Sequence, residues 1–344
     1  MEKSLQIGVA GLTGVIAVVG LAGRLGAANP PTTASASASR PMIQKLGTLD
    51  CDMVETTPIV FQGRLYRVEY VRERYTRKAP GESGSYFRLM DVATGEPLPP
   101  FARGFHLCSA YVEGETVHVF GVEKWGANKV RGFQSADLRN WESFTALDLP
   151  GWSAFNNSVC KSDGRYVMAI EIDAPAAEAG APFTIRFAES KDLRHCKLTP
   201  SSCVYAKDRY TSCPTLRFLD GWFYLMYCEA MPGPEYPTYL LRSTNLVHWE
   251  SSPLNPVMKL SSEDHKVAAG TKGLTAADRE RIAKGVNVCN SDIDFCEFEG
   301  RVVLYYCWGN QTGIEHLAEA RYDGTLKQFL QGFFPPKPAS LRGR

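Results

Sequence analysis

Charge of one sign is what this sequence lacks. Its 38 lysines and arginines face 37 aspartates and glutamates, for a formal net charge of +1. There is no polybasic run and no stripe of basic residues interleaved with aromatics. Neither nucleic acid nor an anionic membrane surface is therefore an expected partner. Metal-binding patterns are missing too. The ten cysteines form no CxxC pair and no Cys/His group with zinc spacing, so no structural zinc and no cofactor is expected. Most cysteines stand singly inside apolar runs, where a free thiol behaves as a small hydrophobe, and their number suits an oxidising compartment.

What is present divides the chain in three. Residues 7–22 are apolar and glycine-rich, with Lys3 before them and Arg24 after. That length is short for a spanning helix and suits a signal-peptide core, so residues 1–28 read as a signal peptide or an N-terminal anchor. The expected location is accordingly exported, with membrane contact only through that segment. Residues 29–44, containing "NPPTTASASASRP", read as a disordered spacer of small residues, Ser, Thr and Pro. The rest, 45–338, is one folded domain, and a chain that is 44% hydrophobic has ample material for its core.

Within that domain one pattern recurs five times. A polar stretch leads into an apolar strand, a turn with glycine in second place, and another apolar strand. The instances are "ETTPIVFQGRLYRVEYV" from 55, "HLCSAYVEGETVHVFGV" from 106, "NNSVCKSDGRYVMAIEI" from 156, "SCPTLRFLDGWFYLMYCE" from 212 and "DIDFCEFEGRVVLYYCW" from 292. The dipeptides Gln62-Gly63, Glu113-Gly114, Asp163-Gly164, Asp220-Gly221 and Glu299-Gly300 fit hairpin turns, where glycine tolerates positive φ. A further element follows most hairpins: "SADLRNWES" at 135, "SKDLRHCKL" at 190 and "STNLVHWES" at 243. Five such units predict an all-β, five-bladed β-propeller, with a β-sandwich as the second architecture. One short inserted helix is expected at "LTAADRERIAKG", capped by Thr275 and Gly285.

Counting eight residues back from each turn glycine gives Glu55, His106, Asn156, Cys213 and Asp292, with Ser212 preceding that cysteine. In a propeller the first residues of the inner strands converge at one mouth of the central axis, so Glu55, His106, Asn156 with Asn157, Ser212 and Asp292 are expected in a ring, and Asp294 lies two residues deeper. Loops at the same mouth bring up Glu123, Trp125, Glu171, Asp173, Glu229, Glu235, Tyr236, Trp308 and Gln311. Acids, amides and aromatic faces in one concave site suit a carbohydrate. Two carboxylates across a pocket suit glycoside hydrolysis, one protonating the leaving oxygen while the other activates water or attacks carbon. Trp141 and Trp249 are expected to pack between blades and carry no function.

The hairpin register, the elements Ser135 to Trp141 and Ser243 to Trp249, and "SCP" at 212 together resemble the five-bladed propeller glycosidases. These are glycoside hydrolase family 43 and its arabinanase, levansucrase and invertase relatives, and the resemblance covers roughly residues 45–335. It implies a general base in blade one at Glu55, where the family usually has Asp. It places the pKa-tuning Asp of blade three at Asn156 or Asn157, which cannot ionise. It places the general-acid Glu of blade four at Ser212, which cannot serve as that acid. A displaced acid is the expectation, with Asp292, Glu229, Glu171, His106 and His316 as candidates.

The reading is therefore a glycoside hydrolase. Its catalytic candidates are Glu55, Asp292 and Glu229. His106, Asn156, Asn157, Glu171, Arg209, Ser212, Asp294, Trp308 and Gln311 would bind substrate. A non-catalytic carbohydrate-binding propeller is the alternative. A glycoside phosphorylase is another, with Arg209, Lys207 and His106 as the material for its phosphate site. Cys213 and Cys228 face each other in the expected hairpin and are a candidate disulfide.

Overall fold

The computed structural model describes residues 40–230 and 235–336. The reading of residues 1–28, and most of that of 29–44, falls outside them.

In chain order the elements are β1 (Gln44–Cys51), β2 (Met53–Phe61), β3 (Arg64–Val71), β4 (Tyr86–Asp91), β5 (His106–Glu113), β6 (Thr116–Val122), β7 (Lys129–Ser135) and β8 (Glu142–Asp148). Next come β9 (Ser153–Ser162), β10 (Arg165–Ala174), α1 (Ala176–Ala179), β11 (Thr184–Ser190) and β12 (Lys197–Leu198). They are followed by β13 (Thr211–Leu219), β14 (Trp222–Glu229), β15 (Thr238–Ser243), β16 (Glu250–Ser251) and α2 (Ala276–Lys284). The last are β17 (Cys289–Phe298), β18 (Arg301–Gly309), β19 (Glu315–Tyr322) and α3 (Leu326–Gly332). They make five antiparallel sheets, β2-β3-β4, β5 to β8, β9 to β12, β13 to β16, and β17-β18-β19-β1. The inner strands β2, β5, β9, β13 and β17 pack side by side in a closed ring, β17 returning against β2. The fold is the expected five-bladed propeller.

The local chemistry explains the blades. Gln62-Gly63, Asp163-Gly164, Asp220-Gly221 and Glu299-Gly300 all have positive φ at both residues, the backbone of a type I′ hairpin. Blade two differs. Glu113 pairs with Thr116, so its turn is Gly114-Glu115 with glycine first. The middle strands are buried along nearly their whole length because each blade lies between two others, as in β14, with only Trp222 and Glu229 not fully buried. The recurring polar element is a turn built on Asp137, Asp192 and Asn245. Each accepts two backbone N–H bonds and pairs with Ser135, Ser190 or Ser243. Trp141 stacks on Phe101 of blade one at 3.8 Å, and Trp249 on Phe187 of blade three at 5.6 Å. Both tryptophans pack between blades.

The N-terminal strand closes the ring. β1 pairs with β19 as the outer strand of blade five. Thr48 exchanges backbone bonds with Lys266 (2.7 Å) and Ala268 (2.9 Å), and Lys45 pairs with the fully buried Asp264 at 2.7 Å. Gly47 has φ +114°, and a Cβ there would meet the Lys266 carbonyl at 2.7 Å, so only glycine fits. Helix α2 starts at Thr275 in a capping box with Asp278 and ends at Gly285, as expected. Two more short helices, α1 and α3, accompany it. In α3 the pattern Leu326, Phe329, Leu330, Phe333 is the signal, and Phe329, Leu330 and Phe333 are fully buried.

Candidate active site

All five inner hairpins carry a bulge at the same level, where the register between inner and second strand slips by one residue. The residue six positions before the last paired residue of each inner strand is Glu55, Leu107, Asn156, Cys213 or Asp292. Four of these five have left-handed φ: Glu55 41°, Leu107 57°, Cys213 54° and Asp292 49°. Non-glycine residues in that region are strained and cluster at functional sites. The bulge is why an acid is tolerated in an otherwise apolar strand. It lifts Asp292 out of the pleat and turns it toward the axis. Glu55, Asn156, Cys213 and Asp292 line a small axial cavity with Thr56, Thr57, Cys108, Ser109, Asn157, Pro214, Thr215 and Asp294.

Two expectations shift by one residue for physical reasons. Because blade two turns on Gly114-Glu115, its axial residue is Leu107, and His106 stands to the side with its Nδ1 2.6 Å from the Tyr70 hydroxyl. In blade four the bulge at Cys213-Pro214 puts Ser212, not Cys213, opposite Cys228. Ser212 is fully buried, and Cys213 takes the axial place. All ten cysteines are free, so Cys213 and Cys228 form no disulfide. The same slip puts Ser291 opposite Cys307.

Three carboxylates influence one another at the axis, one each from blades one, three and five. Glu55 has a buried Oε2 without a hydrogen-bond partner among the described residues. Burial, then the neighbouring Asp292, holds its pKa well above the usual carboxylate range, and Arg72 partly opposes this. The Asp292 carboxylate accepts from the Ser291 hydroxyl at 2.8 Å, and burial raises its pKa as well. Glu171 reaches in from β10. Its Oε2 accepts from the Cys213 backbone N–H (2.8 Å) and from Asn156 Nδ2 (3.1 Å), and burial pushes its pKa up to about 7. No ion pair neutralises any of the three among the described residues. The cation that acts on Glu55 and Asp292 is Arg72, a residue the sequence reading passed over. It is held by the Asp52 carbonyl (3.1 Å) and Glu315 (2.5 Å), with its Nη2 buried and without a hydrogen-bond partner among the described residues.

The remaining candidates have other duties. Asp294 is ion-paired with Arg217 of blade four. Asn157 accepts from Ser109 at 2.6 Å and joins blades two and three. Glu229 is tied to Arg209 (3.1 Å) and Tyr227 (2.6 Å) away from the axial cavity. Arg209 also holds Asp208, and Lys207 holds the Ala177 carbonyl at 3.0 Å. Gln311 lies in the blade-five loop beside Cys289, within reach of the mouth. Trp308 was expected to face a sugar and is instead fully buried. Its indole N–H donates to Thr48 at 2.7 Å, and its ring packs on His265 and His316. His316 is buried beside it with neither ring nitrogen partnered among the described residues. Burial lowers its pKa to about 4, so at neutral pH it is an uncharged imidazole and not an imidazolium acid. Among the described residues no group of three His, Cys, Asp or Glu is arranged to hold a metal ion.

No family model matches this sequence, and no curated protein does. Solved structures do resemble it. A putative glycoside hydrolase from Parabacteroides distasonis superposes with a TM-score of 0.55 at 13% identity, over 86% of this chain and 96% of that one. An α-L-arabinofuranosidase from Podospora anserina, solved with cellotriose, gives 0.56 at 7% identity over 86% and 94%. An exo-1,5-α-L-arabinanase from a bovine ruminal metagenomic library gives 0.51 at 12% over 80% and 94%. At these identities the likeness is one of fold. The chain has the five-bladed propeller of the glycoside hydrolase family 43 enzymes and their arabinanase relatives.

Proposed function

We propose that the protein is a glycoside hydrolase that cleaves an O-glycosidic bond at the mouth of its propeller axis. The observation that carries this reading is the cluster of Glu55, Glu171 and Asp292, buried together without a neutralising ion pair. Like charges in one pocket cannot all ionise, so the group retains a proton near neutral pH while part of it stays anionic. An acid and a base coexisting at one pH is what glycoside hydrolysis requires. Glu171 is the general acid. Its Oε2 accepts both hydrogen bonds, which leaves Oε1 to carry the proton toward the leaving oxygen. It also lies against the backbone of Cys213, next to Ser212, the position where the resemblance places the family's own acid. Glu55 is the base or nucleophile and Asp292 the second carboxylate, with Arg72 favouring ionisation of both against the burial that raises their pKa values. The axial cavity that Glu55 and Asp292 line, with Glu171 behind its Asn156 and Cys213 wall, is about 30 Å³. That is room for about one water and not for a sugar ring, so the sugar sits above it, at the mouth.

The phosphorylase reading has little support. Its expected phosphate ligands Arg209 and Lys207 are committed to Glu229, Asp208 and the α1 region. A binding-only propeller would leave three buried carboxylates uncompensated with no return.

Turnover across a panel of furanosides and pyranosides tests the proposal. Wild type should cleave at least one member. Asp292→Asn should fold normally and lose about 10²- to 10⁴-fold in kcat on it. If the variant stays within about twofold of wild type, Asp292 is a structural rim residue.

A further inference from the structure

The mouth above the carboxylates is not symmetric. Over blades two to four, five aromatic rings touch in series. Trp125, in the β6–β7 loop, meets Phe155 with centroids 6.0 Å apart, and Phe155 meets Phe183 at 5.1 Å. Phe183 then meets Tyr210 at 5.9 Å, and Tyr210 meets Tyr236 at 5.5 Å. Over blades five and one the groups are charged. Arg72 and Arg74 pair with Glu315, Arg281 with Asp52, and Arg77 with Asp278 and Asp50.

The series continues into the carboxylate site. Phe155 directly precedes Asn156, which binds Glu171. Tyr210 lies close enough to Cys213 and Glu171 for both to act on its hydroxyl, and the Trp125 indole lies beside Tyr70, which in turn contacts His106. Trp125 is 62% exposed. A single exposed hydrophobe is ordinary on a soluble protein. This one is the exposed end of a ring series in which Phe155 is buried and Phe183, Tyr210 and Tyr236 are half-buried, and which passes the acid at Tyr210.

We infer that this half of the mouth is the platform for the remainder of a neutral, linear oligosaccharide whose reacting unit lies over Glu55, Glu171 and Asp292. This deepens the hydrolase reading and rests on its placement of the reacting sugar. A chain of sugars offers apolar C–H faces to aromatic rings, and binding sites of this kind combine aromatic walls with a few placed polar groups. The sugar is neutral because the floor carries three carboxylates, which repel a uronic or sulfated unit. The charged half of the mouth is occupied by its own ion pairs.

Binding can be measured without turnover. The full chain carrying Asp292→Asn, and the same protein with Trp125→Ala or Trp125→Phe, would be titrated calorimetrically. The probes are linear xylo-, 1,5-α-arabino-, β-1,4-gluco- and fructo-tetrasaccharides with their methyl monosaccharides, and a tetragalacturonate. At least one neutral tetrasaccharide should bind tenfold or more tighter than its monosaccharide. Trp125→Ala should weaken the tetrasaccharide about tenfold or more and leave the monosaccharide within twofold, with Trp125→Phe retaining most of the affinity. Four results overturn the inference: no tetrasaccharide binds, length brings no gain, Trp125→Ala leaves the tetrasaccharide within twofold, or tetragalacturonate binds best. If wild type cleaves nothing yet the dependence on Trp125 holds, the hydrolase reading fails and the platform stands. If wild type cleaves but length brings no gain, the platform alone fails.

Discussion

Glu171→Gln should lower kcat about 10²- to 10⁴-fold on any glycoside the wild type cleaves, because it removes the proton the leaving oxygen needs. The pH profile gives the more specific signature. With its pKa pushed up to about 7 by burial, Glu171 is protonated below that pH and loses its proton above it. Wild-type kcat should therefore fall through an alkaline limb near pH 7, and that limb should vanish in the variant. Stability moves in a defined sense as well. A carboxyl whose folded pKa lies above its ordinary value of 4.5 binds its proton more tightly in the folded state. The folded protein then loses stability as pH rises from about 4.5, and the loss is complete above about 7. By linkage this amounts to about 3 kcal/mol. Glu171→Gln removes that dependence, so its advantage over wild type in urea unfolding should appear at pH 8 and be absent at pH 4. An unchanged alkaline limb would assign the acid to another group.

Glu55→Gln should separate activity from stability even more sharply. Glu55 Oε2 is buried with no hydrogen-bond partner among the described residues, and burial, then Asp292, presses its pKa upward. The amide keeps the size of the side chain, removes the like-charge repulsion and can donate to Asp292. Turnover should drop by about 10²- to 10⁴-fold. The melting temperature at pH 7–8 should rise rather than fall, the trade expected where a site is held strained for function. The measurements are single-turnover kinetics and thermal melts of the same preparation. A variant that loses activity and melts well below wild type would mean that Glu55 supports the fold and not the chemistry.

Much of this architecture can be read from local chemistry. Glycine after Gln62, Asp163, Asp220 and Glu299 dictates four of the hairpins, and Ser-x-Asp-Leu or Ser-x-Asn-Leu dictates the outer turns. Glu55 and Asp292 were legible as axial acids because their strands and turns share one register. Cys213 and Leu107 were not read as axial residues, each for one displaced residue: a glycine-first turn in blade two and a bulge at Cys213-Pro214 in blade four. Bulges leave no mark in an alternation pattern, because they add a residue without changing the apolar character of the strand. Trp308 failed as a sugar platform because β1 covers it, and closure by β1 is a pairing across the whole domain that no local signal reveals. Glu171 is visible in the sequence as an acid between Ile170 and Ile172. Its rank among the acids depended on the Cys213 backbone it touches, which only the folded ring brings near.

The measurement that tests the account most directly is release of new reducing ends from the oligosaccharide panel by wild type and by a protein carrying Glu55→Gln, Glu171→Gln and Asp292→Asn together. The account predicts release by wild type on at least one neutral glycan and none above background by the triple variant, with its binding of that glycan retained. Equal release by both proteins, or none by wild type on glycans it binds, would contradict it.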